Sequence, residues 1–405
     1  MKIKNGVAIL IILGIIPFFN LAAQEILTSN HLRPYSYEFI IDKNELKGDG
    51  AKLLLQKMEN CQFVLIGENH SSSQLGKFVT TLIPNLSEFG FKNMSIETGP
   101  YSADKLMELS TVSSETLNRL KSFNKKYYNG KYPIVFFGGK EDALFLREAR
   151  AKMFDLWGLD QEYGNSNEYL LDEMLLLTKG KNSYTEFEKM KRDAFASVNE
   201  IKKSGSASDC RLLKDPAILK YFNSFDSTDL RAQEIIAALK KSWEIYCLYE
   251  DEKYDENNKV RADYMKTNFM NKYKNAQSNG QRFPKVLVKM GHGHVTIGNS
   301  PLGVEDVGRM VRELAFANGT TSLHIAQRQR FWKTKVGLTV DFLKQSREIS
   351  PVLELAKRDR WVIIDMQKFR EAKKELIISK PMAQEIARYD ILLLTPLDKR
   401  VKKNR

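Results

Sequence analysis

The chain has 405 residues, with 63 Lys plus Arg against 50 Asp plus Glu, a formal charge of +13. Its 42% apolar and 28% charged residues suit a globular protein and exclude collagen-like and low-complexity chains. Five His and three Cys are too few for a disulfide scaffold or a Cys-rich zinc fold, so where the histidines fall is informative.

Lys2 and Lys4 precede an apolar run from Val7 to Leu21, and Ala22-Ala23 supply small residues before Gln24. This is the pattern of a signal peptide cut after Ala23, which leaves residues 24–405 as one exported domain, periplasmic or secreted. The run is short for a membrane span and no later stretch is long and apolar enough, so no stable membrane insertion is expected. The basic surplus is spread along the chain. Together with export, this argues against a nucleic-acid partner and for a small-molecule substrate. Lys399, Arg400, Lys402, Lys403 and Arg405 crowd the last seven residues and read as a frayed, solvated tail. Among the cysteines, a Cys210–Cys247 pair is allowed, but the spacing specifies nothing and free, buried thiols are the simpler expectation.

Phe63-Val64-Leu65-Ile66-Gly67 reads as a strand buried on both faces, as in a parallel sheet. Residues 73–89 have helical spacing, with Gly90 as the stop. Met94 to Glu97 is the next strand, which completes a βαβ unit. Further strands are expected at Pro133 to Phe137, Phe154 to Leu159, Val286 to Met290, Ser322 to Ala326, Trp361 to Asp365 and Asp390 to Leu394. Helices are expected over 140–153 and 304–317, and a long helical section over about 165–280. The expected class is therefore α/β: a mainly parallel central sheet flanked by helices, with a helical insertion.

Three strand ends carry titratable residues. Gly67-Glu68-Asn69-His70 follows the first strand, Glu97 ends the second, and Gly291-His292-Gly293-His294 ends a late one. Ligands of open parallel sheets bind beyond such carboxyl ends. Arg261, Met265 and Asn268 are spaced i, i+4, i+7, which puts them on one helix face; Met265 reads as core. A neutral His can take a proton from water, a carboxylate can hold its tautomer, and an Arg can stabilise an oxyanion. No Gly-x-Ser-x-Gly elbow and no phosphate-binding Gly-rich loop is present. In an extended segment His292 and His294 would point the same way, which leaves a metal site open as the less favoured option. His31 and His324 read as structural.

These residues resemble the erythromycin esterase-like, ChaN-like superfamily, with relatives in the TraB and Tiki proteins. The likeness rests on Gly67-Glu68-Asn69-His70, on Gly90-Phe91 and the strand ending in Glu97, and on Gly158-Leu159-Asp160. Arg261-x-x-x-Met265-x-x-Asn268, the strand ending at His294, and Tyr389 to Pro396 extend it. The resemblance implies hydrolysis of an ester by water activated on His70. Glu68 and Glu97 would orient that base, and Arg261 and His294 would stabilise charge. His292, Asp160, Glu162 and Asn268 would bind substrate, with no cofactor. The Glu-to-His gap of two matches the ChaN-like branch, and Gly291-x-Gly293-His294 the TraB and Tiki form. Haem or iron binding, or a divalent metal in a Tiki-like protease, therefore stay open as alternatives.

Overall fold

The computed structural model describes residues 25–205, 208–372 and 375–404; the expected signal peptide lies outside them. Nine strands form one sheet: β1 (Ser36–Asp42), β2 (Glu45–Lys47), β3 (Phe63–Glu68), β4 (Asn93–Ile96), β5 (Asp155–Gly158), β6 (Val286–Gly291), β7 (Ser322–Arg328), β8 (Trp361–Asp365) and β9 (Ile391–Leu394). Their spatial order is β2-β1-β8-β9-β7-β3-β6-β4-β5. The run β9-β7-β3-β6-β4-β5 is parallel throughout, while β8, β1 and β2 add antiparallel pairs at one edge. Strands from before and after the helical section share this sheet, as the sequence suggests.

Alternate side chains of each strand enter opposite cores, the period-two consequence of the pleat. Val64, Ile66, Met94, Leu287 and Ile325 face one core, and Phe63, Leu65, Val286, Val288 and Met290 the other. Both faces are therefore apolar, which is why these strands read as unbroken hydrophobic runs. The first core is covered by α1 (Asp49–Glu59), α2 (Ser73–Glu88), α3 (Pro100–Leu109) and α4 (Lys140–Ala151). It continues into the helical section through α5 (Asn167–Leu176), α6 (Tyr184–Ser204) and α7 (Leu230–Glu250). The second core is covered by α8 (Tyr254–Ser278), whose Phe269 and Tyr273 rings pack on Phe63, and by α9 (Val307–Ala317). Met265 is fully buried there, in the core role expected of it. Among the described residues no helix is long and apolar enough to cross a membrane.

Four expectations change. Pro133 to Phe137 is not a strand: Phe136 has φ 63°, a left-handed conformation that breaks extended backbone. The C-terminal tail is docked rather than frayed. The Val401 amide donates to the Ser71 carbonyl, the Asn404 amide to the Gly138 carbonyl, and the Asn124 side chain to the Asn404 carbonyl. Cys210 and Cys247 form a disulfide that ties a short helix (Ser208–Leu212) to α7, while Cys61 stays free and buried. Finally, His292 and His294 do not lie in an extended segment but in a 3-10 turn, so they diverge.

Candidate functional site

Glu68 is the last residue of β3 and His70 lies two residues on. The end of β3 packs close against the His292–Val295 turn: a Cβ on Gly67 would lie 2.6 Å from the Val295 side chain and 2.7 Å from the His292 Cα. Glu97 directly follows β4, Asp160 lies two residues past β5, and His294 follows β6. In the sheet β6 lies between β3 and β4, so its carboxyl end lies between the two that supply Glu68 and Glu97. The first turns of α8 bring Arg261 over the same edge.

The contacts form two linked chains. Glu68 Oε1 lies 3.2 Å from His70 Nδ1, and its Oε2 accepts from Lys289 Nζ at 2.6 Å. A carboxylate only accepts, so the His70 proton sits on Nδ1 and the lone pair on Nε2. That Nε2 lies 3.9 Å from Glu97 Oε2. The Phe136 ring stacks on the imidazole with centroids 4.1 Å apart, and the His70 side chain is 40% exposed, open to a ligand. In the second chain, Glu97 Oε1 accepts from Arg261 Nη2 at 3.0 Å and lies 3.5 Å from His294 Nε2. Arg261 also binds Asp160 through Nη2 at 2.6 Å and Nε at 2.9 Å, and its Nε reaches Gln161 Oε1. His294 Nδ1 meets Asp306 Oδ2 at 2.7 Å.

Burial and pairing set the charge states. Burial alone would raise Glu68, but Lys289 and His70 overrule it and hold the carboxyl below its usual range. Burial alone would lower His70, but its hydrogen bond to Glu68 and the charge of Glu97 raise it above the ordinary imidazole value. Glu97 is held well down against its burial by His294 and Arg261. His294 is pushed up to about 10, because Glu97 and Asp306 outweigh the cost of burying it, so it is an imidazolium at neutral pH. His292 moves the other way, to about 4, through burial and the nearby Arg328.

The structure thus brings together Glu68, His70, Glu97, Asp160, Arg261 and His294. It leaves Glu162 and Asn268 outside this cluster and sets His292 at its edge. The Glu162 carboxylate caps α3, accepting from the Tyr101 and Ser102 amides and the Ser102 hydroxyl, and burial raises it to about 7. Asn268 donates to the Leu159 carbonyl and braces the end of β5. The His292 ring hydrogen-bonds the Glu68 backbone, while its own carbonyl accepts from the Tyr389 hydroxyl. Three participants escaped the sequence reading. Lys289 hid in an apolar strand, Phe136 in a segment taken for a strand, and Asp306 in what is in fact the N-cap of α9. Only Asp306 had a local signal, an Asp just before an apolar helical run.

The groups do not fit a metal. Glu68, Glu97 and Asp160 already hold Lys289, Arg261 and protonated His294, and a cation among them would have to displace those partners. Among the described residues, three close ligand-type groups meet only at Cys210, Cys247 and Asp251, where both thiols are in the disulfide.

No protein-family model and no curated protein sequence matches the chain. Solved structures do. A Bacillus cereus protein superposes with a TM-score of 0.57 at 15% identity, covering 94% of this chain and 100% of its own. A succinoglycan biosynthesis protein gives 0.53 at 16% identity, over 93% of this chain and 98% of its own. A histidine-to-asparagine variant of the erythromycin esterase EreC, in its open conformation, gives 0.53 at 12% identity, again over 93% and 98%. The α/β sheet and its helical layers are therefore a fold shared with these structures, the erythromycin esterase EreC among them.

Proposed function

We propose that the chain is an exported hydrolase that cleaves an ester or related bond with water activated on His70. The observation that carries this reading is the His70 imidazole, 40% exposed, fixed at Nδ1 by Glu68 and turning a basic Nε2 toward Glu97. Water within hydrogen-bond reach of Nε2 gives up its proton as it attacks the substrate carbonyl. Glu68 holds the tautomer and stabilises the imidazolium that forms. Glu97, ionised at neutral pH, faces Nε2 and adds to that stabilisation. Arg261 spends Nε and Nη2 on Asp160, Gln161 and Glu97, which leaves Nη1 to donate to the developing oxyanion. His70 then returns the proton to the leaving alkoxide. No covalent acyl-enzyme is required. Export draws support from the apolar N-terminal run and from the disulfide, a bond that persists in oxidising compartments.

The test is a panel of 4-nitrophenyl esters and amides, followed with and without EDTA. Ester turnover that survives EDTA is expected. Turnover that EDTA abolishes and added metal restores would transfer the chemistry to the metalloprotease reading, and no turnover on any ester would remove the esterase reading.

A further inference from the structure

A cavity of about 640 Å³ lies between two loops that lead into the site and the helices α5, α6 and α7, within the range of small-molecule sites. The two loops that line it are the loops that build the site. One carries Asn129 and Lys131 at the cavity and, five residues beyond Lys131, the Phe136 ring stacked on His70. The other carries Asp160 in the grip of Arg261 and then Tyr163 and Asn165 in the cavity wall. A third tie comes from α7: Tyr246 lines the cavity and hydrogen-bonds Gln161, which itself accepts from Arg261 Nε. Two side chains, Tyr246 and Gln161, thus connect the cavity to the cationic end of the site.

The lining has a specific chemistry. Asn165 and Asn199 offer amides, which both donate to and accept from hydroxyls, and Tyr163 and Tyr246 offer flat rings. The charges in the wall are unequal in their pairing. Lys202 is held by Asp209 at 2.6 Å. Lys131 and Lys203 line the cavity with no carboxylate partner among the described residues; of the acids in the wall, Asp209 is taken by Lys202, and burial and Asp172 push up the Glu168 carboxyl. Two unpaired ammonium groups over amides and tyrosine rings favour an anion on a hydroxyl-bearing scaffold and disfavour a cation.

Building on the hydrolase reading, we propose that this cavity holds the non-reacting part of the substrate, and that this part is an acidic, sugar-like group whose anion is taken by Lys131 and Lys203. The test separates the two readings because it measures binding without turnover. The probes are 4-nitrophenyl β-glucuronide and its neutral counterpart 4-nitrophenyl β-glucoside, neither of which carries an ester, titrated into the full-length protein by calorimetry. The glucuronide is expected to bind at least about tenfold more tightly than the glucoside. That preference should vanish in the folded Lys131→Glu/Lys203→Glu variant, and persist in a Lys335→Glu control remote from the cavity. Equal binding of the two probes, or a preference that survives the double reversal, would overturn the proposal. Ester turnover in the panel above stands or falls independently of either result.

Discussion

His70 is held from both sides by acids of different strand ends, and its raised pKa sets how the site should respond to pH. Turnover needs the neutral imidazole, so the rate is expected to rise with pH through an apparent pKa above the ordinary 6.5. Glu68→Gln removes one of the two anions that raise His70. The acidic limb should then move to lower pH while the plateau falls; a limb that stays in place would separate Glu68 from the base. His294 makes a different prediction, about stability. Its folded value of about 10 lies above the unfolded value near 6.5, so its contribution is fully present below pH 6.5 and is lost as pH rises towards 10. Denaturant midpoints measured across that interval should fall in the wild type and fall less in Asp306→Asn, which weakens the cause of the shift. Much of this was legible from residue types: Glu68, His70, Glu97, Arg261 and His294 announced themselves by falling at strand ends or on one helix face. Lys289 did not. A lone Lys in an otherwise apolar strand carries no local sign that it faces Glu68 on the neighbouring strand, because the pairing of β6 with β3 is a long-range fact.

At the scale of elements, the parallel strands set the positions of Glu68, His70, Glu97 and His294, α8 sets that of Arg261, and the glycines at the strand ends set how closely those groups approach. A Cβ on Gly291 would lie 3.2 Å from both Glu97 Oε2 and His70 Nε2, in the space between base and carboxylate. Its φ of −53° suits any residue. Gly291→Ala is therefore expected to fold normally and to lose turnover by about 10-fold to 100-fold, since small displacements at a reacting centre are costly. A folded variant with unchanged rate would show that this gap is not where the water reacts. Leu65→Ala tests the scaffold alone. The side chain is fully buried in the second core, and its loss should cost about 2–5 kcal/mol by chemical denaturation. The central strands and α2 were readable from periodicity because packing on two faces dictates their composition. Pro133 to Phe137 misled because apolar residues in a loop that covers a site look like a strand. What places Phe136 is its stacking on His70, which no local pattern encodes.

For the whole molecule, the helical section and the C-terminal tail are fastened to the sheet by contacts far apart in sequence. The Cys210–Cys247 bridge closes 37 residues within the helical section. Reduction, or Cys210→Ser with Cys247→Ser, should cost about 2–4 kcal/mol in thermal unfolding. No change on reduction would mean that the thiols are unpaired in solution. The pairing was not legible because spacing alone cannot distinguish two free thiols from a bridge. The docking of residues 399–404 was hidden for a similar reason: a run of cations looks solvated until the carbonyls and amides that hold its backbone are known.

The central claim is that His70 activates the water, and its most direct test is the rate of ester hydrolysis by His70→Ala beside the wild type. Circular dichroism would establish that both are folded. The account predicts a loss of about 10²–10⁴-fold in kcat, with the fold and melting temperature essentially retained. Hydrolysis at the wild-type rate by the folded variant would contradict it.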